Sequence, residues 1–217
     1  MDDTSYKGAS LSAKELLSWR PLRHSADVEL DGELSTLVAR SRDLIRNNGI
    51  ASGAIQTLVD NVIGNGLKLV SIPDHRILGL DLDYLEEWAR KVESLWRIWS
   101  ESVYCDASRK LNFNSQTALI FRSVIENGEA LALVLWRENP ANQFATCFQL
   151  LEPDRLSNPD FKQNTEFLRD GIEINHYGEP QNYWISKYYP NDCYYHGNTN
   201  SWEKVAAQTS FGRKLIL

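Results

Sequence analysis

The chain has 217 residues, of which 42% are apolar and 24% charged, and its formal net charge is −6. This composition indicates a globular chain that can bury on the order of 70% of its unfolded surface, so disordered chains and disulfide-stapled mini-proteins are excluded. The negative charge argues against a protein that grips nucleic acid over its whole surface, and three cysteines without CxxC spacing favour a reducing, intracellular setting.

Residues 1–33 form the first predicted segment, an N-terminal arm without a sustained helical or strand period. It contains no apolar run that would indicate a signal peptide, and no later run approaches the roughly 18 apolar residues of a membrane span. The pattern changes at residue 34, so we predict that residues 34–217 form a separate domain.

Two consecutive helices are predicted from Leu34 onward. The first ends at Asn47-Asn48-Gly49, because Asn and Gly tolerate the left-handed conformation that ends helices. The second stops at Gly64-Asn65-Gly66, and its single apolar stripe consists of Ala51, Ala54, Ile55, Leu58, Val59, Val62 and Ile63. A left-handed Gly49 predicts that Gly49→Val lowers the free energy of unfolding by about 1 kcal/mol or more.

The next elements are a short strand and two further helices. The apolar run 67–72 before Pro73 predicts the strand. Asp81 or Asp83 can cap the third helix. The face expected to be buried on that helix consists of Leu85, Trp88, Val92, Leu95, Trp96 and Trp99. A fourth helix is predicted from Asn114 to Asn127, with Gly128 as its stop.

Strands follow the helices. Residues 129–136 are apolar on both faces, which predicts a strand covered on both sides, and residues 144–150 alternate as a hairpin partner. A second hairpin is predicted around the turn 175–178. Helices first and strands second is an α+β order with a small antiparallel sheet. The run 213–217 looks like the opening of another strand, so we expect a fragment of a longer chain.

Few residues carry recognisable chemistry. Gly64-Asn65-Gly66 lacks the remaining residues of a phosphate-binding loop, and neither a Gly-x-Ser-x-Gly nor a His-Glu-x-x-His motif occurs. Asp192, Cys193 and His196, with His176 elsewhere, resemble part of a zinc site, but surface residues scattered in a Tyr-rich loop are a commoner cause. Glu126 and Glu129 could form a carboxylate pair, although solvated charge at a helix end is the default.

The aromatic run from Tyr183 to Trp202 and a basic stripe are the remaining candidates. The aromatic run holds few cations, so packing and subunit contact are favoured over base stacking. Arg40, Arg42 and Arg46 could contact phosphates, and a solvated face or salt bridges between subunits is at least as reasonable an interpretation.

Several ordered motifs resemble the lambda family of phage portal proteins. The longest is Ala39 to Leu67, which contains an arginine-rich helix, the Arg46-Asn-Asn-Gly49 corner, a second helix and Val62-x-Gly-x-Gly66. The other motifs, in chain order, are Tyr6-Lys-Gly-Ala-Ser10, Trp19-Arg-Pro21, Trp99, Cys105-Asp-Ala107, Gly128-Glu-Ala-Leu131, Leu150-Leu-Glu-Pro-Asp-Arg-Leu156, Gly171-Ile-Glu-Ile-Asn175 and Tyr177-Gly-Glu-Pro180. The resemblance covers essentially the whole chain.

The resemblance implies a structural protein rather than an enzyme, without cofactor, metal or catalytic residues. It implies a ring, usually of twelve subunits, at one capsid vertex in the virion, assembled in the bacterial cytoplasm. The implied partners are the terminase large subunit, capsid and head–tail connector proteins, and double-stranded DNA passing through the channel, but no membrane. Residues 34–217 would form the outer, wing-like region of the N-terminal part, without stem, clip and crown.

The resemblance also implies a set of residues for the structural signature and for oligomer contacts. They are Arg42, Asp43, Arg46, Asn47, Asn48, Gly49, Ala54, Asn61, Gly64 and Gly66. We expect the corner 47–49 to fix the angle between the first two helices, and Arg42 and Arg46 to pair with acidic groups locally or across the subunit boundary. The alternative function is a small α+β enzyme or ligand-binding domain that uses the loop from Tyr183 to His196.

Overall fold

A computed structural model describes residues 6–189 and 201–217. The chain divides into two compact units, Met1–Arg40 and Ser41–Leu217. The helices of the described residues are α1 Ala26–Leu30, α2 Leu34–Asn47, α3 Gly49–Val62, α4 His75–Leu78, α5 Leu82–Glu101 and α6 Phe113–Asn127. The strands are β1 Leu131–Trp136, β2 Thr146–Leu151, β3 Leu168–Arg169, β4 Ile172–Ile174, β5 Pro180–Ser186 and β6 Trp202–Ala206. The predicted α+β order is confirmed, while the arm of residues 1–33 stays a prediction.

The described α-helices of the first unit are α1 and the first half of α2. Ser25 caps α1, because its hydroxyl accepts a hydrogen bond from the Val28 amide. Trp19 and Leu22 are among its exposed apolar side chains. No helix in the described ranges combines the length and apolar character that a bilayer-spanning segment requires.

In the second unit, α3 packs against α6. Ile55 and Val59 of α3 form a buried cluster with Ile45, and Ala118, Phe121 and Ile125 of α6 pack against it. The Ser41 hydroxyl donates to the Glu126 carbonyl oxygen at 2.7 Å, which ties the end of α6 to α2. The helical core is therefore built from residues far apart along the chain.

Helix α5 joins this core through an aromatic cluster. Asp81 caps α5 by accepting from the amides of Asp83 and Tyr84, as one of the two predicted caps. The rings of Trp96, Trp99 and Phe113 lie about 5 Å apart, and Phe148 of β2 contacts the last two. The Trp99 indole also donates to the Thr146 carbonyl oxygen at 2.9 Å. The cluster therefore attaches the helices to the first sheet.

Two antiparallel sheets follow. Strands β1 and β2 pair from Leu131 with Leu151 to Trp136 with Thr146, and the second sheet has the order β3-β4-β5-β6. Both predicted hairpins are confirmed, since β4 also pairs with β5. Beyond the named strands, Leu217 exchanges two backbone hydrogen bonds with Ala132, and the Leu215 amide donates to Ala207. Residues 215–217 therefore lie along the other edge of β1 and contact both sheets.

The apolar core between the sheets explains why β1 has two covered faces. Leu131, Ile185 and Ile216 are buried together, while Val134, on the opposite face of β1, is paired with Phe148 of the aromatic cluster. The expectation of a strand covered on both sides is confirmed at its first residues, whereas Trp136 at its end is 64% exposed.

One predicted strand is wrong. Residues 67–72 contain neither strand nor helix, and residues 67–73 make no backbone–backbone hydrogen bond with any described residue. The Ser71 amide instead donates to the Glu93 side chain of α5 at 2.8 Å. An apolar run becomes a strand only when it pairs with a partner strand, and residues 67–72 pair with none in the part of the chain that the structure describes.

Candidate functional site

The junction between α2 and α3 is built by one capping residue. Asn48 has an extended backbone with φ −121°, and its side-chain oxygen accepts from the amides of Ile50 and Ala51 at 2.9 and 3.2 Å. Gly49 is already the first residue of α3 and its φ is not positive. The predicted left-handed corner is therefore wrong, because the turn is made by the N-cap residue Asn48. Asn47 is the last residue of α2, and Gly49 is the first residue of α3.

Arg42 is the centre of a hydrogen-bond network. Its guanidinium donates twice to the Asp154 carboxylate, at 3.1 and 2.6 Å, once to the Asn127 side chain at 2.7 Å and once to the Tyr189 hydroxyl at 2.9 Å. The hydrogen bond to Asp154 raises the pKa of Arg42 above its ordinary value. Arg42 thus joins α2, the end of α6, the loop after β2 and the residues after β5.

The neighbouring signature residues, Asn47 and Arg46, differ in their contacts. Asn47 donates to the Asp43 carboxylate at 2.7 Å, one helical turn away. Arg46 is exposed and has no ion-pair partner within the described ranges. The structure therefore supplies a local acidic partner for Arg42 and none for Arg46.

The other signature residues lie on or after α3. Ala54 is exposed, and the Asn61 side chain donates to the Thr57 carbonyl oxygen at 2.7 Å. Gly64 and Gly66 follow the helix with φ of 50° and 93°, which agrees with the predicted stop. A side chain on Gly66 would also overlap Asn114 of α6. This end of α3 is therefore closely fitted to α6.

Three of the other motif segments hold structural carboxylates. The Asp106 carboxylate accepts from the amides of Ser108, Lys110 and Leu111. Burial acts to raise the pKa of Asp106, but these hydrogen bonds and one from the Ser108 hydroxyl outweigh it and lower the pKa. Glu173 accepts from Asn182, Trp184 and Lys204, and Asp154 accepts from Arg42. These carboxylates hold loops and strands together.

The residues of the enzyme hypothesis do not assemble in the described structure. Asp192, Cys193 and His196 lie outside the described residues, and His176 is exposed beside Tyr177. No group of three or more His, Cys, Asp or Glu side chains suited to a metal occurs in residues 6–189 and 201–217. Glu126 forms an ion pair with Arg122 at 3.7 Å.

The aromatic side chains of the same hypothesis are engaged in packing. Tyr183 belongs to the core between the sheets, Trp184 donates to Glu173, and Lys204 lies 5.2 Å from the Trp184 ring. Trp202 donates to the Ser157 hydroxyl at 3.0 Å. The interpretation of this run as packing surface agrees with these contacts.

A cleft of about 350 Å³ lies beside the Arg42 network. Its lining residues are Arg42, Leu119, Ile120, Arg122, Ser123, Glu126, Asn127, Ala130, Leu131, Leu150, Leu151, Glu152, Pro153 and Tyr189. The polar groups include both signs of charge, and four of the five N–H groups of Arg42 donate to internal partners. The cleft thus offers apolar walls without a convergent set of free polar groups.

Helix α3 carries an exposed apolar stripe that its sequence pattern did not predict. The predicted single buried stripe is divided in two, since Ile55 and Val59 are buried whereas Ile50, Leu58 and Val62 are 85, 47 and 55% exposed. Ala54 is exposed between them, so every fourth residue from Ile50 to Val62 faces solvent with an apolar side chain. We name Ile50, Ala54, Leu58 and Val62 the α3 stripe.

Helix α5 is divided in the same way. Leu85, Ala89 and Trp99 are buried, but Trp88 and Leu95, which were expected in the core, are 45 and 37% exposed. Tyr84 and Ile98 are exposed in line with them at helical spacing. We name Tyr84, Trp88, Leu95 and Ile98 the α5 stripe. On both helices the apolar residues cover a wider arc of the circumference than one packing contact buries. This width is the signal in the sequence that could have predicted an exposed apolar face.

Comparisons with known proteins agree with the resemblance. The family described as "Phage portal protein, lambda family" matches residues 12–215. The chain is 32% identical to the portal protein of Escherichia phage N15 over 204 residues, which is 92% of this chain and 37% of that protein. It is 32% identical to portal protein B of Escherichia phage lambda over 83% of this chain and 34% of that protein. A probable portal protein of Halomonas phage phiHAP-1 is 24% identical over 88% of this chain. The chain spans about a third of the length of these relatives.

Proposed function

Because this chain belongs to the lambda family of phage portal proteins, we propose that it is a structural subunit of a portal ring at the unique vertex of a phage capsid. The ring would act as the conduit for DNA during packaging and ejection. Twelve copies would close it, and the terminase large subunit, the capsid and the head–tail connector proteins would dock on it. The subunit would assemble in the host cytoplasm and end in the virion.

The observation that carries the proposal is the pair of apolar stripes left exposed on α3 and α5. Monomeric globular proteins seldom expose so many large apolar side chains in ordered rows, since the hydrophobic effect favours their burial. A subunit with two such faces is suited to contact one neighbour on each side, as a closed ring requires.

The other features of the chain are compatible with a structural role. The carboxylates of the family motifs hold internal hydrogen bonds, as Asp106 and Asp154 illustrate. A net charge of −6 suits a conduit, because DNA must slide past it and tight phosphate contacts would retain the DNA. Residues 34–217 would form the outer, wing-like part of the subunit, preceded by the arm.

The experiment that tests the proposal is native mass spectrometry with negative-stain imaging of the longest gene product that contains these residues. We expect closed rings of about twelve copies with a central channel. A single monomeric species at all concentrations would contradict the proposal, and the loop from Tyr183 to His196 would then be tested for ligand binding.

A further inference from the structure

Three asparagines of the chain are directly followed by glycine, namely Asn48, Asn65 and Asn127. Asparagine is among the chemically labile residues of proteins. In an Asn-Gly pair the backbone nitrogen of the glycine can attack the side-chain Cγ atom of the asparagine, because glycine has no Cβ atom to obstruct the approach. In a folded chain the two groups must also be free to move together. The three pairs therefore share one chemistry and differ in what the fold holds in place.

Two of these asparagines are held by hydrogen bonds on their side chains. The Asn48 oxygen accepts from two amides in the first turn of α3, at 2.9 and 3.2 Å. The Asn127 oxygen accepts from the Arg42 guanidinium at 2.7 Å, and its nitrogen donates to the Ser123 hydroxyl at 3.0 Å. Each side chain must break two hydrogen bonds before its Cγ atom can turn towards the next backbone nitrogen.

The third asparagine, Asn65, is exposed, and its side chain has no hydrogen-bond partner among the described residues. It lies in the turn after α3, between Gly64 and Gly66, whose φ angles are 50° and 93°. Glycine on both sides permits backbone rotations that a Cβ atom would prevent. The Gly66 amide donates to the Ile63 carbonyl oxygen at 2.8 Å, so a single hydrogen bond restrains the attacking nitrogen. The fold therefore opposes the reaction least at Asn65.

We propose that Asn65 is the residue at which this chain deamidates, ahead of Asn48 and Asn127. The Gly66 backbone nitrogen bonds to the Cγ atom of Asn65 and closes a succinimide ring, while the side-chain nitrogen leaves as ammonia and takes the Gly66 amide proton with it. Water then opens the ring at either of its carbonyl carbons and yields aspartate or isoaspartate. The reaction needs no oxidant, cofactor or partner, so the inference is independent of the proposed ring.

Isoaspartate at this position changes the junction between α3 and α6. The backbone then runs through the former side chain, so it gains a methylene group, and the former carbonyl of Asn65 becomes a carboxylate. That carbonyl oxygen accepts from the Asn114 side chain of α6 at 3.2 Å. Gly66 lies so close to Asn114 that an added Cβ atom would overlap it. A longer backbone therefore displaces Gly66 and loosens the end of α3 from α6.

Peptide mapping by mass spectrometry tests the proposal on the folded chain. The chain is kept at physiological temperature and slightly alkaline pH, because base removes the amide proton of the attacking nitrogen. Samples are digested with trypsin at intervals. Asn48 and Asn65 lie between the same two cleavage sites, Arg46 and Lys68, so fragmentation of this peptide is needed to locate the modified residue. The same chain unfolded in urea provides the rates without the fold.

We expect Asn65 of the folded chain to deamidate at least about fivefold faster than Asn48 or Asn127, because each further hydrogen bond that must open slows the reaction by about that factor. In urea the three rates should converge. Equal rates in the folded chain, a faster reaction at either of the other two asparagines, or no reaction at Asn65 would overturn the proposal.

Two variants test the physical reason. Ser123→Ala removes the acceptor of the Asn127 nitrogen and should raise the Asn127 rate about fivefold, while the Asn65 rate stays unchanged. Asn65→Gln retains an amide, but its longer side chain closes the corresponding ring far more slowly. The melting temperature of the wild-type chain should fall on storage and that of Asn65→Gln should not. An unchanged Asn127 rate in Ser123→Ala, or an equal fall in both stored proteins, would overturn this account.

Discussion

The Arg42 guanidinium and the Asp154 carboxylate form a bidentate ion pair, with nitrogen–oxygen distances of 3.1 and 2.6 Å. The two residues are 112 positions apart in the sequence. Both residues belong to motifs that resemble the portal family, yet the sequence did not predict that they pair. The contact connects the first helix of the domain with the loop after the first sheet, and it is shielded because both side chains are about three-quarters buried.

Arg42→Lys should lower the free energy of unfolding by about 1–2 kcal/mol, because an ammonium cannot donate in the planar, two-pronged geometry and would lose Asn127 or Tyr189. Urea denaturation measures the change. Arg46→Lys is the matched control on the same helix, since Arg46 has no ion-pair partner in the described structure, and an equal effect of both variants would contradict the role of Arg42.

Gly171→Ala should lower the free energy of unfolding by about 2 kcal/mol or more. Gly171 has φ 86°, and a Cβ atom there would lie 2.6 Å from the Ser157 backbone nitrogen. Gly49→Ala should instead be neutral or raise it by about 0.5 kcal/mol, because Gly49 is helical with open space around it. Thermal melts of both variants provide the measurement. Destabilisation by Gly49→Ala would indicate that Gly49 has the left-handed conformation after all.

Asp106→Asn should destabilise the chain by about 1–3 kcal/mol at pH 7, because the amide replaces an acceptor of several backbone hydrogen bonds. The pKa of Asp106 is lowered in the folded state, so its stabilising effect is complete above the unfolded pKa and is lost as the pH falls through the folded value. The difference from wild type should shrink below about pH 4. Glu166→Gln, at an exposed position of the loop before β3, serves as the control, and a difference independent of pH would contradict this account.

Gln116→Met should raise the free energy of unfolding by about 1–2 kcal/mol. Gln116 is 1% exposed, and neither side-chain polar atom has a hydrogen-bond partner among the described residues. Burying an amide without hydrogen-bond partners costs free energy of desolvation, and methionine has a similar shape without an amide. Gln56→Met on the exposed side of α3 is the comparison, and a lower melting temperature for Gln116→Met would indicate that the amide is satisfied.

Local signals in the sequence predicted the four long helices and both hairpins, but not the short helices α1 and α4. Asp81 caps α5 and Gly128 follows α6 as expected, because a cap depends only on neighbouring residues. Strand β6 was missed and the strand at 67–72 was wrong, because pairing depends on a partner far away in sequence.

The signature residues show the same division between local and distant information. Asn48 and Gly49 mark the boundary between two helices, but the kind of turn depended on a capping hydrogen bond that composition does not reveal. The partner of Arg42 and the exposure of Trp88 follow from tertiary packing. Propensity alone could not distinguish the buried half of an apolar arc from the exposed half.

The hydrogen bonds of residues 215–217 have a consequence for the order of folding during synthesis. Ala132 and Ala207 cannot obtain these partners until residues 215–217 have been synthesised, so β1 keeps an open edge while the helices α2, α3 and α6 are already complete. The nascent chain therefore carries an open edge on β1 for the time needed to translate some eighty residues, and this interval is when chaperone binding would protect it most.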